Sequence, residues 1–367
     1  MKNYCLLSFG LILFFLTSCS DQPKDLLSSA KHKIIRYNSI YYKQQSLYPN
    51  PVGKIDTIET LTTFRANGKS PIGYDFIFRT ANVDKINING VLRNANHAAQ
   101  NIELFTNFES EKVKSYLNNL RTVMYSPITF LKKNDWQFVS DTIINRSKFS
   151  DFFRIENDTV IDGNTLYTEQ HIFINQKTEL IERWERRNFY NGNLSQTVVF
   201  NYSDYNIENT STQLAYDIPL NYSSVLYGKN DDRLLLKVGQ KAPLFIAKDI
   251  SGKSFKLEDH IGKKILLNFS SINCGYCHQA LKFIRENEIM SSNELLPVYL
   301  PVWDKEEDVK EYFTKVNSEF NVLLNSDKIA GTFGVSSTPT FFLIDENGTI
   351  EQVVIGNDKN FLMSLKK

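Results

Sequence analysis

The sequence predicts two folded units: a C-terminal α/β domain with a central mixed sheet flanked by helices, and before it a separate α+β domain, mostly antiparallel. Three observations carry this. The chain has 367 residues, and domains of about 150 residues suggest two of them. In the first part, β-rich runs are separated by Asp162-Gly163-Asn164 and Asn191-Gly192-Asn193, the steps that join antiparallel strands through tight turns. From about residue 237 the pattern changes to short apolar strands alternating with helices, as in α/β proteins.

Composition excludes several classes. There are 42 Lys+Arg against 41 Asp+Glu, a formal charge of +1, so neither nucleic acid nor another polyanion is expected as a partner. Apolar residues at 42% and aromatics at 13% are enough to bury real cores. Four cysteines stand at positions 5, 19, 274 and 277. None lies between, which rules out a disulfide-stapled scaffold.

Residues 1–18 read as a signal peptide. Lys2 precedes an apolar run from Tyr4 to about Thr17, shorter than the ~20 residues a membrane span needs. The run ends in Leu16-Thr17-Ser18-Cys19, which resembles the lipobox of bacterial lipoproteins. That resemblance implies that Cys19 is acylated and becomes the first mature residue, leaving the protein lipid-anchored and extracytoplasmic in the cell envelope, facing the periplasm or the surface. Cys5 is then discarded, and Cys274 and Cys277 are the thiols left, in a compartment where disulfides persist. Residues 19–29 are polar with one proline and read as a tether.

Within the first domain, residues 30–230, Ile34, Tyr37, Ile40 and Tyr41 recur at helical spacing and predict a helix over about 26–47 that stops before Pro49. Extended runs follow at Thr57–Arg65, Gly73–Thr80 and Val83–Ile88, and a helix is predicted from Glu111 to about Met124, ahead of Pro127. The hairpin-forming runs are Phe152–Ile161, Leu166–Ile174, Leu180–Tyr190 and Gln196–Tyr202. This layout resembles, in pattern alone, the half-barrel of LolA-type lipoprotein carriers. The resemblance implies a face that holds an acyl chain or a peptide, or a filled core that spaces the second domain. Phe152, Phe153, Trp184, Phe189 and Tyr190 are read as core and cross-strand packing.

In the second domain, residues 237–367, Ile265–Phe269 is a nearly continuous apolar strand. After Cys277, Ala280, Leu281, Ile284 and Glu288 share one helical face while Lys282, Arg285 and Glu286 turn away, so a helix begins at the cysteines. Leu295–Val302 is the next apolar run. Asp304 is the expected N-cap of a helix with Glu306, Glu307 and Asp308 in its first turn and Val309, Tyr312, Phe313 and Val316 inward. Asn321–Leu324, Thr340–Asp345 and Thr349–Ile355 read as strands, the last two joined through Glu346-Asn347-Gly348.

Four stretches resemble the thioredoxin-like thiol–disulfide oxidoreductases of the TlpA/ResA type: Val238–Pro243, Gly262–Phe269, Cys274-Gly275-Tyr276-Cys277, and Phe333–Thr340 with its Thr338-Pro339-Thr340. They lie within a domain of about 130 residues, in the family's order. The resemblance implies an enzyme that exchanges disulfides with client proteins, with Cys274 as nucleophile, Cys277 as resolving thiol, and Pro339 as a cis-proline facing them. The backbone of Thr338 would pair with the client, and Gly275, Tyr276 and His278 would tune the site. No cofactor is implied beyond a Cys274–Cys277 disulfide. The implied partners are clients with thiols or disulfides, an envelope electron donor or acceptor, and the membrane through its lipid. The chemistry supports this assignment, since an ordinary thiol with a pKa near 8.5 is mostly neutral at pH 7 and a helix N-terminus favours its anion.

The chain also departs from the family. Asn273 replaces a common tryptophan, Tyr276 a common proline, and Ala280 a glutamate often found in reductases. Asn268 stands at the place of a buried acid, and Trp303, at a strand end, either packs there or replaces the missing aromatic. His278 either favours a nearby thiolate as a cation or lies solvated on the helix's outer face. Other readings remain. Cys274-Gly-Tyr-Cys277-His278 matches the CxxCH of c-type haem attachment, and a lipid- or peptide-binding lipoprotein with an accessory redox domain is the non-enzyme alternative. One CxxC without a partner pair argues against zinc, and no isolated nucleophilic cysteine suggests a peroxidase.

Overall fold

A computed structural model describes residues 23–105, 110–161, 163–226, 235–290, 295–316 and 320–366. The signal segment, Cys5, Cys19 and Asp162 lie outside them. Helix α1 (Pro23–Ile35) leads into strands β1 (Ser39–Pro49), β2 (Ile55–Ala66), β3 (Tyr74–Arg79), β4 (Val83–Ile88), β5 (Val91–Asn96) and β6 (Asn101–Leu104). Helices α2 (Ser110–Asn119), α3 (Arg121–Met124) and α4 (Pro127–Leu131) follow. The chain then runs through β7 (Gln137–Ile144), β8 (Ser147–Ile161), β9 (Asn164–Asn175), β10 (Ile181–Tyr190), β11 (Asn193–Glu208) and β12 (Ser223–Leu226). Among the described residues these strands form one 12-stranded sheet in the order β12-β6-β5-β4-β3-β2-β1-β11-β10-β9-β8-β7. Only β12 pairs parallel, against β6.

One face of this sheet buries the helices. Ala30 and Ile34 of α1, Leu117 of α2 and Phe130 of α4 pack with Phe64, Phe152, Trp184 and Phe200 of the strands. Trp184 is fully buried and stacks on Tyr125 at 4.4 Å and on Phe130 at 5.6 Å between ring centroids. Phe152 and Trp184 are thus core, whereas Tyr190, also expected to pack, is exposed at a hairpin tip.

Two expectations need correction here. The predicted helix over 26–47 ends at Ile35, and its second half is β1. There the buried positions are Ile40, Tyr42, Gln44 and Ser46, a period of two characteristic of a strand. Two polar members hid the alternation, and they are joined by Gln44 Nε2–H donating to Ser46 Oγ at 2.9 Å. The helix expected over 111–124 breaks after Asn119 and resumes as α3, and Pro127 starts a helix rather than ending one. Ser126 caps α4 by accepting from the Thr129 amide, and proline at N1 gives up no hydrogen bond.

The C-terminal region contains β13 (Ile246–Lys248), β14 (Ser254–Lys256), β15 (Lys264–Ser270), α5 (Gly275–Glu286), β16 (Leu295–Pro301) and α6 (Glu306–Lys315). These are followed by β17 (Asn321–Val322), α7 (Asp327–Phe333), β18 (Thr340–Ile344), β19 (Ile350–Ile355) and α8 (Lys359–Ser364). The main sheet is mixed, in the order β17-β16-β15-β18-β19, with β18 antiparallel to β15 and β16 parallel to it. Successive β15 side chains enter opposite layers: Leu266 packs with Ala280 and Ile284 of α5, while Ile265, Leu267 and Phe269 pack with Phe333 and Phe342. Both faces are covered, which explains the unbroken apolar run. Glu288, expected on the inner helical face, lies beyond the end of α5 at φ 51° and is exposed.

The β1–β2 turn docks on α6. Val52 joins the core on the α5 and α6 side. Asp308, buried, accepts from Lys54 Nζ at 2.5 Å and from Asn50 Nδ2 at 3.3 Å, and Lys305 pairs with Asp56 at 2.8 Å. Replacing Asp308 with Ala leaves these donors without their shared acceptor, and since Lys54 is half-exposed and can rehydrate, the expected loss is about 1–2 kcal/mol. Urea unfolding checks it; an unchanged midpoint would show that the turn does not hold the two regions together.

Candidate active site

The site lies where β15 passes into α5. Cys274 is the N-cap of α5, with extended backbone (φ −99°, ψ 115°), and its sulfur accepts from the Cys277 amide at 3.2 Å. The helix therefore begins by directing an otherwise unpaired N–H at sulfur. Cys277, one turn on, is buried beneath the half-buried Cys274, and both are free thiols. The Thr338–Pro339 peptide is cis, and the Thr338 carbonyl lies 3.6 Å from the Cys274 sulfur, able to accept from the protonated thiol. The fold thus brings the Cys274–Cys277 pair together with Thr338-Pro339, two segments far apart in sequence.

The two sulfurs are electrostatically unequal. Cys274 falls from the ordinary thiol value to about 6, chiefly because the Cys277 thiol donates to its anion. Burial opposes the shift, and the Thr338 side chain and the Cys277 and Tyr276 amides add to it. Cys277 is pushed far up, first by that same hydrogen bond to Cys274 and then by burial. At neutral pH Cys274 is then largely thiolate.

The loop before Cys274 is clamped by a residue with another expected role. Asp304 does not cap α6, whose N-cap is Lys305. Its carboxylate instead accepts from Ser271 Oγ at 2.8 Å, the Ile272 amide at 2.9 Å and Asn273 Nδ2 at 3.3 Å. Burial raises its pKa to about 6, against the lowering effect of these donors. An acid raised in the folded state adds stability that is complete below its unfolded pKa of 3.8 and disappears as pH rises through about 6. Cys274, lowered in the folded state, acts in the opposite sense, and its contribution disappears as pH falls through about 6. Asp304→Asn is therefore expected to flatten the fall in unfolding free energy between about pH 4 and 6, with the Cys274-linked rise above pH 6 retained. Urea denaturation across pH checks this, and an unaltered slope would deny Asp304 the role.

His278 is half-buried, and its ring nitrogens are engaged away from the sulfur. Its Nε2 donates to the Ile272 carbonyl at 2.7 Å, and its Nδ1 lies 3.0 Å from the Tyr312 hydroxyl. With both engaged, an axial bond to haem iron would require breaking the contact that orients the ring. Tyr276 is 67% exposed at the start of α5. A side chain at Gly275 would meet no atom within 4 Å, so glycine leaves the rim open rather than relieving a clash. Ala280 is buried under the helix. Trp303, read as packing at a strand end or replacing the missing aromatic, is 57% exposed at φ 64°, its amide donating to Asp327.

Sequence reasoning missed Ser270, Tyr299, Tyr312 and the clamping role of Asp304. Ser270 favours the anion of Cys277 and also lies close to Tyr299. The hydroxyls of Ser270 and Tyr299 and both amide atoms of Asn268 are buried without a close hydrogen-bond partner among the described residues. The available signal was a Ser270-Ser271 step closing an otherwise apolar strand next to the cysteine pair.

Residues 238–353 match the AhpC/TSA family. The Thiol-disulfide oxidoreductase ResA of Bacillus thuringiensis is 32% identical over 129 residues, covering 34% of this chain and 73% of the relative. ResA of Geobacillus thermodenitrificans is 28% identical over 135 residues, with the same coverage. A solved structure of a putative Thiol:disulfide interchange protein DsbE from Chlorobium tepidum aligns at 27% identity and a TM-score of 0.33, over 35% of this chain and 95% of that one. Through its thioredoxin-like C-terminal domain, the chain belongs to the ResA-like thiol–disulfide oxidoreductases.

Proposed function

We propose that this enzyme is a membrane-tethered, extracytoplasmic oxidoreductase that exchanges disulfides with protein clients through Cys274 and Cys277. One observation carries the reading: the Cys274 sulfur caps the start of α5, accepting from the Cys277 amide at 3.2 Å, with the buried Cys277 thiol one turn later, an arrangement that brings its pKa down to about 6. The Cys274 thiolate attacks a client disulfide, forming a mixed disulfide and expelling the client's second sulfur as a thiolate that takes up a proton. Cys277 then loses its proton and attacks Cys274, which forms the Cys274–Cys277 disulfide and frees the client as a dithiol. Two electrons pass to the client, and the steps reverse when the enzyme oxidises a dithiol. An envelope electron donor or acceptor resets the pair.

Cys277 must give up its proton without the carboxylate common in relatives, because Ala280 stands there. The Ser270 hydroxyl makes no close hydrogen bond among the described residues but lowers the Cys277 pKa, so it can stabilise the Cys277 anion as it forms rather than take its proton. The lipobox-like Leu16–Cys19 supports the tether, and among the described residues no helix is long and apolar enough to cross a membrane. Mixing the reduced full chain with excess oxidised protein tests the exchange. Loss of two titratable thiols per chain, with a Cys274–Cys277 disulfide by mass spectrometry, is expected; persistence of both thiols would overturn it. Incorporation of an alkyne fatty acid, lost in Cys19→Ser, tests the anchor.

A further inference from the structure

We propose that the hairpin tips of the N-terminal sheet form the second wall of the groove in which a polypeptide client lies while its disulfide reacts at Cys274. This rests on the redox reading above. Two clefts meet at Tyr276, Gln279 and Lys359. One runs between Thr338-Pro339 and the segment 355–360, beside the reacting sulfur. The other, about 240 Å³, lies between α5 and the N-terminal sheet, where Ile161, Leu166 and Tyr190 face Tyr276 and Phe283. The two share Tyr276, Gln279 and Lys359, so a chain laid along the first reaches the edge of the second.

The wall is built to hold its place. Leu166 and Tyr190 are register partners on β9 and β10. Next to them Asn191 Oδ1 accepts from the Thr165 amide at 2.8 Å, and Asn191 Nδ2 donates to Asn164 Oδ1 at 3.0 Å, tying one hairpin tip to the other. The docked β1–β2 turn fixes the same sheet against α6.

The occupant follows from the chemistry of the lining. Tyr276 is 67% exposed, Ile161 55% and Tyr190 39%, so apolar surface remains for a ligand to cover. The cations are already engaged, Lys282 with Glu286 at 3.7 Å and Lys359 over the Phe283 ring at 5.8 Å. An extended chain advances about 3.3 Å per residue, and we place in the second cleft a side chain a few residues from the reacting cysteine. The partner is an oxidised polypeptide with a large apolar side chain at that spacing.

The test uses the full chain and three substrates: bis(2-hydroxyethyl) disulfide, an oxidised peptide with Phe three residues from its cysteine, and the same peptide with Ser there. The double variant Ile161→Ser/Tyr190→Ser is expected to lower kcat/KM about tenfold for the Phe peptide and less than twofold for the other two. Ile161→Trp, which fills the cleft, is expected to lower the same parameter. An equal fall for all three substrates, or no change for the Phe peptide, would overturn the proposal. So would a shift in sedimentation from dimer to monomer without a kinetic change, which would place a second copy of the chain in the cleft. Failure of the unaltered chain to react even with the small disulfide would instead overturn the redox reading, and this inference with it.

Discussion

Replacing Cys274 with Ser reduces thiol–disulfide exchange to the rate of the free reductant. The attacking group must be an anion at working pH, and the structure concentrates its stabilising groups on this sulfur: the Cys277 thiol, the Thr338 side chain and two amides. A serine hydroxyl with the same neighbours stays protonated and forms no bond to a client sulfur. Cys277 does not compensate, because it is buried and held protonated. Insulin reduction, followed by turbidity, is the measurement. Activity surviving in Cys274→Ser would move the nucleophile elsewhere.

Replacing Cys277 with Ser has a different result. Cys274 still attacks, but the second displacement has no sulfur to perform it, so the client accumulates as a mixed disulfide on Cys274. Non-reducing electrophoresis of cell-envelope extracts should show adducts of higher mass that collapse on reduction, while turnover is lost as fully as in Cys274→Ser. Cys277→Ala adds a further signature. It removes the largest contribution to the lowered pKa of Cys274, so the thiolate should form at higher pH than in the unaltered protein. Adducts absent from Cys277→Ser, with Cys274 intact, would contradict the order of the two steps.

The geometry of the candidate site was largely legible in the sequence because its physics is local. A CxxC at the junction of a strand and a helix places one sulfur at the N-cap and the next a turn inward, and nothing distant need be known. Thr338 and Pro339 were legible only through resemblance, since 62 residues separate Cys277 from Pro339 and only the sheet brings them together. Asp304 shows where local reasoning fails. Its sequence position suits an N-cap, yet three donors from the loop 271–273 claim its carboxylate, a tertiary contact that propensity cannot register. His278 fails similarly, because its ring is set by Tyr312 from another helix.

The N-terminal region was less legible. Asn-Gly and Asp-Gly steps located its long hairpins, but β5, β6, β7 and β12 carry too little apolar alternation to be read as strands. In β1 a buried polar pair, Gln44 and Ser46, erased the pattern. Tyr190 illustrates the limit of counting aromatics. It was grouped with Trp184 as core, yet one is an exposed hairpin tip and the other is wholly enclosed, a difference that depends on which end of the strand faces the helices.

The central claim is that Cys274 is an anion near neutrality because α5 and Cys277 stabilise it, and pH-dependent alkylation of the reduced protein tests this most directly. With iodoacetamide, the rate at Cys274, read by peptide mass, should rise through a midpoint at about 6 and level off above it, with Cys277 unlabelled across the range. A midpoint at the ordinary thiol value of about 8.5, or equal labelling of both cysteines, would contradict the account.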